Sequence, residues 1–387
     1  MKMVIVTTRF DPAGGGAERS VDQMVYHLRR RGHEVRIITG SCPRALQEGQ
    51  MICWPGRSMR SAAGIIRFAV WARKQLAAAA CDVSLSITTV VPADVLQPRG
   101  GSVREAMGRN IASRRTRSAR GLKRALVALS PKLRVLLSLE RQTLSHPALK
   151  HIVAISGYVR RELHAHYGFP ISRMTLIPNA AQMPAADPEQ QTMWCREIRQ
   201  QYQLSPEATV YLFAAHNPRL KGLDPLLEAI AVLRKEGLAC HLLLAGNVRR
   251  SHRRRIAVLG LEQTVRVLGM ASNMPQLYCA ADVTVLPTFH DAASKVTIES
   301  MMMGTPAITT SFNGAADLID PGPSHRRCGL VIGDPSDVPA LVAAMRQLAD
   351  PHDRDTYSAA AADLRPMLSM DRHVGALEQV LREVAGR

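Results

Sequence analysis

Aromatic residues are scarce, 4% of 387 positions, and acids are outnumbered, 32 Asp and Glu against 50 Lys and Arg. With so few rings, the cores must come from the Leu, Val, Ile, Ala and Met within the 46% hydrophobic fraction, which suits helices layered on parallel strands. The seven cysteines (Cys42, Cys53, Cys81, Cys195, Cys240, Cys279, Cys328) are scattered, odd in number and form no C-x-x-C. That argues for reduced thiols in a cytosol and against a disulfide frame or structural zinc. No window reaches the roughly 18 uncharged apolar residues of a bilayer span. Residues 62–80 come nearest, but Arg67, Arg73 and Lys74 interrupt them. The opening MKMVIVTTRF turns polar too soon for a signal peptide and reads as a first strand. Neither G-x-G-x-x-G nor G-K-[ST] occurs, so a nicotinamide or ATP site is poorly supported.

The deficit of acids leaves a formal charge of +18, which implies an anionic partner: nucleic acid, an acidic membrane surface or a phosphorylated substrate. The length suffices for two domains, since single cores stop growing near ~250–300 residues. The chain opens as a βαβ unit: strand Met3–Thr7, a Pro/Gly loop, a helix over 17–31 with Val21, Met24, Val25 and Leu28 on one face, and strand Val35–Thr39. Gly14, Gly15 and Gly16 let the backbone approach a ligand and leave N–H groups at a helix start, where an anion is favoured; a plain tight turn is the alternative. Further strands are expected at Val83–Ile87, His151–Ile155 and Ser172–Ile177, and a linker at 180–192. The second half repeats the alternation, with strands at 209–214, 240–245, 265–268, 282–286 and 306–309 and helices at 223–236 and 371–384.

From Arg99 to Arg134 there are eleven Lys or Arg and one acid, Glu105, with Leu122, Leu126, Val127 and Leu129 interleaved. A segment of this kind, 99–137, can lie on an anionic bilayer through Arg109, Arg114, Arg115, Arg117, Arg120, Lys123 and Arg124. The alternatives are a solvated basic helix and an RNA-binding arm, the second weakened by missing stacking rings.

Two loops follow apolar strands of the second half. The first, His216 to Gly222, sets Arg219 and Lys221 at a helix start, an arrangement suited to a pyrophosphate. The second carries Asp291, Ser294 and Lys295 and leads into a Met-rich helix closed by Gly304 and Pro306. Glu299 lies in that helix among Val296, Ile298, Met301 and Met302, where a carboxylate is costly without donors. Sugar hydroxyls would provide them; the bland readings are an N-cap for Asp291 and an Arg of the same domain for Glu299.

Taken together, GGGAERSVDQMVYHLRRRGHEVRIITG at 14–40, SRMTLIPN at 172–179, PRLKGLDPLLEAIA at 218–231 and ADVTVLPTFHDAASKVTIESMMMGTPAITT at 281–310 resemble the retaining family 4 glycosyltransferases. Within that family the chain looks most like the glucosyltransferases of the lipopolysaccharide inner core. The resemblance implies an α/β GT-B fold: two Rossmann-like domains facing a central cleft, an acceptor domain at 1–182, a nucleotide-sugar domain at 183–365, and a C-terminal crossover helix, 366–387, on the first domain. It implies transfer of a hexose, glucose first, from a UDP-sugar co-substrate to a lipid-linked saccharide at the inner face of the cytoplasmic membrane, without a metal or other cofactor and without nucleic acid. Alternatives are a family 4 enzyme with another sugar and acceptor, or a basic GT-B protein that binds membrane or RNA without turnover.

By the same resemblance, Gly15 and Gly16 approach the donor, Arg173 lines the cleft, and Arg219 and Lys221 neutralise the diphosphate. Asp291 holds hexose hydroxyls, the N–H groups from Ala293 through Ser294 to Lys295 reach sugar and phosphate, Glu299 holds the ribose, and Gly246 and Met270 frame the uracil. Asp291 stands where the family has Glu, and Ala180 where it has the Gly of P-N-G. Arg99, Gly100 and Gly101 occupy the loop where relatives carry an Asp or His. No side-chain base is therefore assigned, and Arg99 and Gly100 are expected at the acceptor.

Overall fold

A computed structural model describes residues 1–12, 14–42, 51–56, 59–322 and 326–386. Ala13 of the glycine loop lies outside these. The chain divides into two compact units, Met1–Ala180 with Ser369–Arg387, and Ala181–Leu368.

The first unit holds strands β1 (Lys2–Thr7), β2 (Glu34–Thr39), β3 (Met51–Cys53), β4 (Val83–Ser86), β5 (Val95–Leu96), β6 (His151–Ala154) and β7 (Met174–Leu176). They form one parallel sheet in the order β3-β2-β1-β4-β5-β6-β7. Its helices are α1 (Gly16–Arg30), α2 (Ala62–Ala78), α3 (Val103–Ala112), α4 (Arg117–Leu129), α5 (Pro131–Leu144) and α6 (Gly157–Tyr167). From β1, Met3 and Ile5 face the stripe Met24 and Leu28 of α1, while Val4 and Val6 face Phe68 and Ala72 of α2. A strand buried on both faces reads as an unbroken apolar run, as β1 does. The near-apolar stretch at 62–80 is thus α2, a core helix, and among the described residues no helix is long and apolar enough to cross a membrane.

The second unit holds α7 (Pro188–Gln201), β8 (Thr209–Ala215), α8 (Leu223–Lys235), β9 (Cys240–Gly246), α9 (Arg250–Val258), β10 (Val265–Gly269), α10 (Met274–Ala280), β11 (Val283–Leu286), α11 (Lys295–Met302), β12 (Ala307–Thr310), α12 (Ala316–Ile319), β13 (Gly329–Ile332), α13 (Val338–Gln347) and α14 (Pro351–Leu364). Its sheet is also parallel, in the order β10-β9-β8-β11-β12-β13. One face packs Tyr211, Phe213, Leu226, Ile230, Leu244 and Met345 together, with the Tyr211 hydroxyl donating to the Met345 carbonyl at 2.8 Å. The last helix, α15 (Met370–Ala385), belongs to the first unit, where Val374, Leu377 and Leu381 join the core of α1 and β1.

Three expectations change in detail. The strand read at Ser172–Ile177 is a 3-10 turn over Ile171–Arg173 followed by the shorter β7. The linker read at 180–192 gives way at Pro188 to α7, because Asp187 accepts the Gln190 N–H at 2.7 Å and Pro188 sits at the first helical position. The basic segment is not one amphipathic helix but α3, α4 and α5, each started by a serine or threonine cap at Ser102, Thr116 and Ser130.

Each sheet has one place where the chain order reverses, between β1 and β4 and between β8 and β11. In open parallel sheets ligands bind outside the carboxyl ends of the strands at such switch points.

Candidate active site

In the second unit the loops after β8 and β11 meet at the switch point. The Phe289 N–H and the Thr288 hydroxyl both donate to the Leu220 carbonyl, at 2.9 and 3.2 Å. Gly222 allows this approach, since it has φ +82° and a Cβ there would collide with the Pro287 carbonyl oxygen. Seamed in this way, the loops bring Lys221 Nζ to 2.5 Å from Asp291 Oδ2 and 2.8 Å from the His290 carbonyl. Both side chains keep about a fifth of their surface exposed, 21% and 20%.

Asn313, in the loop after β12, is wholly buried and was not singled out from the sequence. Its Oδ1 accepts from the N–H groups of Ser294 and Ala315 at 3.1 and 3.0 Å, while its Nδ2 donates to Thr309 Oγ1 at 2.8 Å. The Asp291 N–H donates to the Phe312 carbonyl, and the Gly314 N–H to the Asp291 carbonyl. A short polar side chain three residues past an apolar strand is the signal that could have marked Asn313. The Ser294 N–H, expected to reach sugar and phosphate, is therefore already committed to Asn313. The Ser294 side chain caps α11 by accepting from Thr297 N.

Glu299, on α11, accepts from the Tyr278 hydroxyl of α10 at 2.9 Å. Its partner inside the unit is thus a neutral phenol and not the arginine of the bland reading. Gly246 ends β9 at φ +114°, where a Cβ would meet the Ala215 carbonyl, and Met270 stands exposed just after β10. Along the carboxyl edge the sheet order places Met270, Gly246, the Lys221 loop, the Asp291 loop and Asn313 in succession. Arg219 is half-buried, and its charge reaches His252: burial holds His252 below its usual pKa, Asp224 opposes this, and Arg249 and Arg219 add to the depression. Asp353-Arg354-Asp355, the sequence's D-x-D tripeptide, lies within α14, and Arg354 Nε is 3.7 Å from Asp282 Oδ1. Among the described residues no group of three His, Cys, Asp or Glu is placed to hold a metal ion.

In the first unit a cavity of about 550 Å³ opens at the other switch point. Thr7, Thr8 and Arg9 line it from the end of β1, Thr88 and Thr89 from the loop after β4, and Arg99 with Gly100 from the loop after β5. A Cβ on Gly100 would meet nothing within 4 Å. Gly15 is the extended N-cap of α1, which leaves the first N–H groups of that helix at the same sheet edge. Arg99 is 8% exposed and donates to Gln97 Oε1 at 2.9 Å, Asn179 Oδ1 at 2.6 Å and Ser20 Oγ. Burial lowers its guanidinium to a pKa of about 10, still charged at neutral pH.

Two groups of predicted residues fall differently. Arg173 precedes β7 at the amino edge of the sheet, where it donates to the Leu149 and Lys150 carbonyls and lies 5.0 Å over the Phe169 ring. It is at the opposite edge from Gly15, Gly16 and Arg99 and serves the fold. Of the seven cations assigned to a membrane, Lys123 lines the cavity, Arg109 pairs with Glu105 at 2.7 Å, Arg120 donates to the Arg114 carbonyl, and Arg114 is half-buried. Arg115, Arg117 and Arg124 are exposed, beside an outward stripe of Leu122, Leu126 and Leu129 that is 65%, 56% and 71% exposed.

Residues 14–182 match the family described as "Glycosyltransferase Family 4" and residues 207–350 the family described as "Glycosyl transferases group 1". The chain is 24% identical over 341 residues to the lipopolysaccharide glucosyltransferase WaaG of Escherichia coli (strain K12), covering 86% of each chain. A crystal structure of WaaG, a glycosyltransferase involved in lipopolysaccharide biosynthesis, superposes with a TM-score of 0.75 at 20% identity, over 98% of this chain and 99% of that one. Anabaena Alr3699/HepE, solved in complex with UDP and glucose, gives 0.71 at 15% identity, over 99% of this chain and 100% of that one. The fold common to these proteins is GT-B.

Proposed function

As the chain belongs to the family 4, group 1 glycosyltransferases, we propose that it moves a hexose, glucose first, from a UDP-sugar to a saccharide acceptor of the lipopolysaccharide-core type, with retention at the anomeric carbon. The observation that carries this is the Lys221–Asp291 pair at the switch point of the second sheet. A nucleoside diphosphate leaving group gathers negative charge as its bond to the sugar breaks, and a fixed ammonium there stabilises it in the transition state more than in the ground state. Lys221 is fixed by two acceptors, the Asp291 carboxylate and the His290 carbonyl. Asp291 holds the ammonium and turns its remaining acceptor capacity to hexose hydroxyls, so the two residues act as a unit. Glu299, with one oxygen on Tyr278, offers the other to the ribose hydroxyls.

In the step proposed, the acceptor hydroxyl oxygen bonds to the anomeric carbon on the face from which the diphosphate leaves. The carbon–oxygen bond to the β-phosphate breaks, and the hydroxyl proton passes to the departing phosphate oxygen, giving UDP and the glycoside. The solved complex of the Anabaena relative with UDP and glucose supports the donor class, and the likeness to WaaG supports the acceptor class.

We place the enzyme at an anionic membrane surface through α4. Three exposed leucines at i, i+4 and i+7 would each gain about 1.5–3 kcal/mol on full burial, and Arg115, Arg117 and Arg124 about 1 kcal/mol each near anionic lipid. The test is turnover of UDP-glucose against UDP-galactose and ADP-glucose with a truncated lipopolysaccharide core, the product anomer read by NMR. An α-glucoside formed from UDP-glucose, and its loss in Lys221→Ala, supports the reading; an inverted product, or undiminished turnover in Lys221→Ala, contradicts it.

A further inference from the structure

Among the described residues, Arg99 in the first unit has no acidic partner. Its hydrogen bonds there go to an amide oxygen of Gln97, an amide oxygen of Asn179 and a hydroxyl of Ser20, all neutral. Removing a guanidinium from water without a counter-charge is costly, so a buried arginine normally meets a carboxylate. Here the opening beside it is a cavity whose other cations are Arg9 and Lys123. Glu18 is the acid among the lining residues, and it is 4.0 Å from Arg9. The rest of the wall carries short polar groups, Thr88, Thr89 and Asn110 among them, of the kind that accept and donate to sugar hydroxyls.

The neutral partners are themselves held in place. His373 of α15 is buried, with Nδ1 2.8 Å from the Pro178 carbonyl and Nε2 3.3 Å from Gln97 Nε2. A carbonyl only accepts, so Nδ1 carries the proton and Nε2 accepts from the Gln97 amide. That turns the Gln97 oxygen toward Arg99. The C-terminal helix thus sets the orientation of a guanidinium at the far end of a hydrogen-bonded chain.

We propose that this cavity binds an oxyanion carried by the acceptor, a phosphate ester or a carboxylate, through Arg99 and Lys123. Guanidinium and ammonium are the usual partners of such groups, and the anion restores the charge balance that the unit lacks. Calling the occupant an acceptor rests on the transferase reading; the binding of an anionic sugar does not. Lys123, read from the sequence as one of many membrane-facing cations, then has a separate role from Arg115, Arg117 and Arg124.

The experiment is calorimetric titration of the full-length protein at low salt with glucose 6-phosphate, glucuronate and glucose, repeated with Arg99→Gln, Lys123→Gln and, as a charge control on an exposed strand residue, Arg36→Gln. One or both charged sugars are expected to bind at least tenfold tighter than glucose, and which of them does so identifies the anion. That preference should fall at least tenfold in Arg99→Gln and severalfold in Lys123→Gln, and persist in Arg36→Gln. Equal binding of charged and neutral sugars, or a preference that survives both substitutions, overturns the proposal. If Arg99→Gln shows no cooperative thermal transition, Lys123→Gln decides alone by the same criterion. UDP titrated in parallel reports on the transferase reading separately: loss of UDP binding by the wild type sinks that reading and leaves the anion result standing.

Discussion

Lys221 and Asp291 are separated by 70 residues and meet at 2.5 Å because two strands adjacent in the second sheet, β8 and β11, deliver their following loops to one point. The pair is partly exposed, so its effect on stability is small, about 1 kcal/mol or less. On the transferase reading, its effect on turnover is expected to be large. A double-mutant cycle with Lys221→Met and Asp291→Asn is expected to show each single change lowering kcat by about a hundredfold and the double change lowering it little further, because the residues act as a unit. Additive losses would mean independent roles.

Tyr278→Phe removes the donor to Glu299 while the ring, fully buried, stays in place. The expected result is a three- to tenfold weaker UDP affinity, worth about 1 kcal/mol, with kcat at saturating donor nearly unchanged. The split between KM and kcat checks it, and an equal loss in both would place Glu299 in the chemical step.

Gly222→Ala is expected to destabilise the protein by about 1–3 kcal/mol in urea unfolding, since it combines a positive φ with a collision against the Pro287 carbonyl. Gly100→Ala, at a site with open space around it, should leave the unfolding midpoint nearly unchanged. Equal effects at the two positions would contradict the close approach of the β8 and β11 loops.

Leu122→Ser, Leu126→Ser and Leu129→Ser together should reduce sedimentation with phosphatidylglycerol vesicles more than tenfold, with little loss of stability, because more than half of each side chain is already in water. Unchanged sedimentation would assign the stripe to something other than a membrane.

The α3 region carries a pH dependence. Burial pushes the Glu105 carboxyl up, but hydrogen bonds from His166, Arg109 and Tyr158 outweigh it and hold the group below its ordinary 4.5. A depressed carboxylate contributes stability that is complete above its unfolded value and disappears as pH falls through the folded one. The stability gap between wild type and Glu105→Gln should therefore be full at pH 6 and shrink steadily below pH 4.5. A gap independent of pH between 3 and 6 would mean that the charge of Glu105 is immaterial.

Much of this was legible in the chain. Strands such as Thr209–Ala215 and Val283–Leu286 are apolar because helices cover both faces, and that burial writes itself into the sequence. β5, two residues long, and β3, three, are too short to carry a period. Lys221, Asp291 and Glu299 stood out as polar groups beside apolar runs. Their partners did not: Asn313 resembled any turn residue, and Tyr278 any core aromatic. Arg173 was misplaced because a residue before a parallel strand lies at the opposite edge from one after it. Lys123 was grouped with the membrane-facing cations because composition counts charges without saying that helical spacing sets it about a quarter-turn from Leu122, on the side that lines the cavity.

The central claim is that the switch point of the second sheet takes up the diphosphate of a uridine nucleotide. Titration of UDP into wild type and Lys221→Ala, each shown to be folded, measures it most directly. A micromolar Kd that weakens at least tenfold on removing the ammonium is the predicted result. No UDP binding by the wild type, or equal affinity in the two proteins, would contradict it.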